Sequence, residues 1–106
     1  MDKPWSASEK KAARQIFDLA AANAQKDILR RHSAKKIHTA DDLWTYELEI
    51  REWRKEIQTT LQFTYSSLPL CFALCLRKGW LIESNLAGLG DERIKQILSI
   101  STIKHK

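Results

Sequence analysis

TADDLWTYELEIREWRKEIQTT, residues 39–60, decides the fold. Leu43, Tyr46, Ile50, Trp53, Ile57 and Thr60 recur at alternating steps of three and four, the a/d pattern of a helix that packs lengthwise against another. Trp44 and Leu48 form a second ridge beside that seam. Thr39 is a cap for the helix start, and Asp41 and Asp42 place negative charge in the first turn, where the helix dipole favours it. A seam about 30 Å long is more than a lone small chain covers. A second long helix of the same chain plus a symmetry mate would cover it, which predicts an all-α homodimer with an antiparallel four-helix bundle. Leu43, Tyr46, Ile50, Trp53 and Ile57 are then the expected dimer interface, substantially buried.

Upstream, Ser6 and Glu9 have the spacing of a capping box, with Trp5 placed before it as a hydrophobic staple. Ala13, Ile16, Phe17, Ala20, Ala24, Ile28 and Arg31 follow as one narrow, alanine-rich stripe, predicting a helix over about 7–32 that another helix approaches closely. Residues 30–38 are basic. They read either as charge favoured at a helix C-terminus or as an anion-facing patch.

Downstream, Ser66-Ser67-Leu68-Pro69 marks a boundary, because proline is tolerated only in a helix's first turn. Leu70 to Leu76 are apolar all round, predicting a buried third helix that Arg77-Lys78-Gly79 ends. A short helical turn is expected within 80–86. A fourth helix opens at Asp91-Glu92 with Ile94, Ile97, Leu98 and Ile100 apolar, and residues 101–106 read as a polar tail. The whole, 1–106, reads as one domain: a long helical hairpin as stem (about 7–65) and a small helical head (about 67–100).

The chain has 106 residues, 43% hydrophobic and 29% charged, with three glycines and two prolines. That composition excludes collagen-like and mostly disordered chains. No apolar run is long enough to span a membrane, and the N-terminus lacks a secretory h-region. With two cysteines read as reduced thiols, the expected location is cytoplasmic. Net charge is +5 and uneven: residues 1–40 hold nine Lys/Arg against four Asp/Glu, residues 41–65 three against six, and residues 66–106 six against three. Such bipolarity suits antiparallel self-association or a charged protein partner.

Chemistry-bearing constellations are sparse. Cys71 and Cys75 lie one turn apart with no third ligand near in sequence, so neither a metal nor a cofactor is expected, and the pair reads as core thiols. Glu47, Glu49, Glu52 and Glu56 interleave with Arg51, Arg54 and Lys55 as a solvated helix face rather than a catalytic pair, and there is no phosphate loop. An enzyme is not expected, and no catalytic residue is assigned. Gly88-Leu89-Gly90 followed by a helix is similar to the hairpin of helix-hairpin-helix modules, but Asp91 and Glu92 place negative charge where a DNA phosphate would sit. Trp44 lies off the centre of the seam and reads as part exposed; tryptophan and arginine are the usual anchors of binding hot spots. Trp44 and Arg54 therefore divide between a partner contact and plain packing or surface pairing.

Together, Pro4-Trp5-Ser6, Asp41-Asp42-Leu43-Trp44, Arg54 with Glu56-Ile57, Phe72-Ala73 with Gly79, and Leu86 to Ile97 resemble the fluorescence recovery protein family of cyanobacteria over nearly the whole chain. The resemblance implies a cofactor-free homodimer with a bundle stem and a head. It implies binding to the C-terminal domain of photoactivated orange carotenoid protein, which speeds that protein's return to the inactive state. By the same resemblance Trp44 and Arg54 occupy functional-surface positions near the dimer interface. The family's usual aspartate is Leu48 here, its neighbouring polar residue is Glu47, and its charged segment after the second helix is replaced by residues 59–64. Trp44, Glu47 and Arg54, with Arg93 and Lys95 on the head, are the candidate partner contacts. Two alternatives stand beside this reading: the same scaffold with a non-photosynthetic protein partner, and non-specific nucleic-acid binding through residues 26–38 and the Gly88–Gly90 turn.

Overall fold

A computed structural model describes residues 4–102. Four α-helices follow one another: α1 (Ala7–His32), α2 (Ala40–Thr60), α3 (Leu68–Lys78) and α4 (Asp91–Ser101), with a 3-10 turn at Glu83–Leu86 between the last two. Local chemistry sets the ends. In the predicted capping box the Glu9 N–H donates to Ser6 Oγ at 3.1 Å, and the Ser6 N–H donates to Glu9 Oε1 at 2.8 Å. α2 opens on a second box, Thr39 with Asp42, whose carboxylate also accepts the His38 N–H at 3.0 Å. Pro69 sits in the first turn of α3. Gly79 ends that helix at φ +80°, a left-handed conformation that costs glycine nothing.

The core collects around α3, as its all-round apolarity requires. Leu68, Cys71, Phe72, Ala73 and Cys75 of α3 bury together with Trp80, Leu81, Leu86, Leu89 and Ile97. α1 joins this core: Ala13, Ile16, Ala20 and Ala24, its alanine stripe, are buried in the same cluster. Small side chains let the backbones come close. Gly88 lies against the stripe's edge, where an added Cβ would meet Ala12 Cβ at 3.0 Å. Hence this stripe forms one wall of the core around α3.

Distant side chains clamp α1 along its length. Near its start, Arg93 Nε of α4 donates to Glu9 Oε2 at 2.9 Å, with the guanidinium 3.8 Å from the Trp5 ring centroid. Trp5 thus staples the chain entry to Arg93 and to Tyr65, whose ring centroid lies 5.4 Å away. Five turns on, Asp27 accepts the Trp80 indole N–H at 3.1 Å and Arg30 and Arg31 at 2.8 and 2.7 Å, while Asn23 donates to the Trp80 carbonyl at 2.7 Å. Burial pushes the Asp27 carboxyl up, but the Trp80 and Arg30 hydrogen bonds and the Arg31 charge outweigh it and hold the group below its usual range.

α2 is different. Of its 21 residues only Thr60 is buried, although Ile57 packs partly on the head core. Tyr46, Ile50, Trp53 and Ile57 are half-buried and Leu43 is 55% exposed, so within one chain the a/d seam is only partly covered. The molecule measures 53 × 30 × 21 Å with a radius of gyration of 16.3 Å. A compact chain of this length would have about 13 Å. Its accessible surface, 7566 Å², exceeds the roughly 6,100 Å² of a compact monomer of its mass. α2 stands out from the head with an unfilled face.

Candidate functional site

The exposed face of α2 carries the apolar side chains that folding leaves in water. Trp44 is 68% exposed, Leu43 55% and Leu48 54%. Trp44 and Leu48 are one turn apart and form the second ridge expected from their spacing. Ala40, Leu43, Trp44 and Glu47 border an open hollow of about 360 Å³, apolar except at the Glu47 end. Glu47 is held by Arg51, one turn on, so its charge is partly neutralised at the hollow's edge. Arg54 lies about 15 Å along the helix from Trp44. It is exposed, and no ion pair or hydrogen bond engages it among the described residues. The face therefore offers a tryptophan-led apolar ridge, a paired carboxylate and an unengaged guanidinium.

Behind this ridge, the C-terminal end of α1 and the length of α2 enclose an open groove of about 860 Å³. Ile28, Leu48 and Trp53 give it apolar surface. Arg31, His32 and Lys35 line one side, and Glu49, Glu52 and Glu56 the other. The two walls meet where Lys35 Nζ lies 2.7 Å from Glu49 Oε2 and the His32 ring lies over Tyr46 at 5.2 Å. Lys78 of α3 reaches Glu56 at the opposite end. Among the described residues no acceptor meets the buried Trp53 Nε1, a cost of about 1–3 kcal/mol.

Three of the five partner-contact candidates, Trp44, Glu47 and Arg54, lie on this exposed side of α2. Lys95 is exposed on α4, in the head and apart from the ridge. Arg93 is buried at 8% exposure, engaged by Glu9 and stacked on Trp5, because a cation at that register of α4 points back at the start of α1. Asp27 went unassigned at the sequence level, yet its spacing carried the signal. It continues the stripe of Ala13, Ile16, Ala20 and Ala24, where a carboxylate needs a buried donor.

Among the described residues no three His, Cys, Asp or Glu side chains converge as metal ligands, and no helix is long and apolar enough to cross a membrane.

A family model described as photoprotection regulator fluorescence recovery protein matches residues 5–101. The fluorescence recovery protein of Fremyella diplosiphon is similar at 28% identity and a TM-score of 0.82, covering 94% of this chain and all of that one. The fluorescence recovery protein of Synechocystis sp. PCC 6803 shares the fold at 24% identity and a TM-score of 0.85, with the same coverage. A comparison with curated protein sequences finds no match.

Proposed function

The chain belongs to the fluorescence recovery protein family of photoprotection regulators, and from that premise we propose that it acts as a homodimer that binds the C-terminal domain of a photoactivated orange carotenoid protein and speeds its return to the inactive state. The observation that carries the proposal is the α2 face: an exposed tryptophan ridge and an unengaged arginine at the positions the family uses, on a helix whose own chain leaves its seam half covered. A second copy laid antiparallel on Leu43, Tyr46, Ile50, Trp53 and Ile57 completes the bundle. It also sets the acidic start of one α2 near the basic Arg54-Lys55 stretch of the other. As a member of a family of regulators, the chain does its proposed work by binding. A regulator accelerates a relaxation only if it binds the barrier state better than the open one. Trp44 supplies area, Arg54 a charge for a partner carboxylate, and Glu47 takes the place of the carboxylate missing at Leu48.

The test is the colour recovery of light-activated orange carotenoid protein in the dark. Added protein raises the recovery rate, and Arg54→Leu removes the effect. No acceleration at molar excess refutes the proposed partner. Light scattering at micromolar concentration checks the assembly: a species near 12.3 kDa refutes the dimer.

A further inference from the structure

Four aromatic rings run in contact across the first half of α1 and the connection (61–67) that leads into α3. Trp5 meets Tyr65 at 5.4 Å between centroids, Tyr65 meets Phe63 at 5.6 Å, and Phe63 meets Phe17 at 5.1 Å. Trp5, Phe17 and Phe63 are half-buried against the core, while Tyr65 stays 37% exposed. Cations lie over these rings. The Lys10 ammonium is 5.3 Å from the Tyr65 centroid, and the Arg14 guanidinium is 5.0 Å from that of Phe63 and 5.8 Å from that of Phe17.

Both cations are exposed. Among the described residues no ion pair or hydrogen bond engages the Lys10 ammonium. Arg14 meets Asp18 at 3.3 Å, but both side chains are 59% exposed, and so open a pair holds little of the charge. At the far end of the ladder Arg93 lies over Trp5, and there Glu9 neutralises it. Ring quadrupoles keep Lys10 and Arg14 in place, so a partner need not immobilise them. As residues i and i+4 of one helix they stand about 6 Å apart.

We propose that this face docks an acidic helical segment of a protein partner. Two carboxylates one turn apart meet Lys10 and Arg14, and apolar side chains beside them cover Tyr65 and Phe63. Carboxylates at i and i+4 of a helix have the same spacing of about 6 Å. The surrounding charge matches, because Lys11 adds a further exposed cation to the same turns of α1. Aromatic and arginine side chains are also the ones enriched at protein interfaces. A nucleic acid fits worse, since bases stack on open ring faces. Here the rings meet one another at 46°, 67° and 84°, and the cations lie over them.

The face is separate from the α2 ridge. Thr60, where α2 ends just before it, lies about 24 Å along that helix from Trp44. Lys10, Arg14, Phe63 and Tyr65 all lie outside the seam proposed for the dimer, so a dimer built on that seam does not use them.

Fluorescence anisotropy on the full chain tests this with a labelled helical peptide that has glutamates one turn apart and leucines beside them. The control is the same peptide with glutamine at each glutamate. The glutamate peptide is expected to bind at low salt, and the control at least about tenfold more weakly. Lys10→Gln combined with Arg14→Gln should lose at least about tenfold in affinity while keeping the helicity and urea midpoint of the wild type. Trp44→Ala should bind the peptide as the wild type does. No binding of the glutamate peptide, equal binding by the double variant, or a loss with Trp44→Ala would overturn the proposal. A labelled oligothymidylate that binds more tightly than the peptide, and is lost with the same double variant, would assign the face to nucleic acid and overturn it equally.

Discussion

Replacing Trp44 by alanine separates the interaction role of the α2 face from a folding role. The ring is 68% exposed. A tryptophan presents about 250 Å², so about 170 Å² of it faces water. At about 25 cal/mol/Å², complete burial against a partner is worth up to about 4 kcal/mol. Hot-spot losses of about 2–4 kcal/mol correspond to affinity falling roughly 30- to 1,000-fold. The remaining third of the ring is already covered within the chain, and alanine regains some helix propensity. The folded protein should therefore lose at most about 1.5 kcal/mol. Urea unfolding at fixed protein concentration measures the second quantity, and colour recovery of the carotenoid protein over a titration measures the first. Light scattering on the same samples reports the assembly. Unchanged recovery, or a stability loss above about 3 kcal/mol, refutes the assignment. A halved mass assigns the ring to the dimer contact instead.

Asp27→Ala strands the buried Trp80 indole N–H and should lower stability by about 1–3 kcal/mol in urea, with a change in Trp80 emission; an unmoved midpoint means the clamp is dispensable. Glu9 is held at about 2 against its ordinary 4.5, first by the Ser6 backbone N–H and then by Arg93. Its contribution is thus complete above about pH 4.5 and is lost as pH falls towards about 2. Thermal melts of wild type and Glu9→Gln should differ at pH 6 and converge at the acid end, and a constant difference down to pH 2 contradicts this. Gly88→Ala forces a Cβ to φ +101° and to 3.0 Å from Ala12 Cβ, which should cost about 1–2 kcal/mol or more; a neutral effect would show that the turn relaxes freely.

Some expectations met the structure closely. α1 runs Ala7–His32 against the expected 7–32, and α2 through α4 begin at or beside the predicted caps. These ends are written locally: a serine or threonine with a carboxylate three residues on, a proline in a first turn, a glycine with positive φ. Other features lay out of reach. Arg93 reads as a surface cation until Glu9, 84 residues away, is seen to engage it. Asp27 reads as one charge among many until Trp80, 53 residues away, aims its N–H at it. For Trp44 the seam arithmetic sufficed, because a residue off the heptad stripe of a lone helix has nothing in its own chain to cover it.

Residue order alone determined that the chain is helical, where each helix starts and stops, and which face of each is apolar. A periodicity of 3.6 defines a face but not the element that covers it. Whether the alanine stripe of α1 would lie on α2 or on the head was decided only in the tertiary structure. There the apolar α3 and the tight Gly88 turn accept a narrow stripe at close range. Placing α1 against the head left α2 extended, with its seam half covered and Trp44 in solvent.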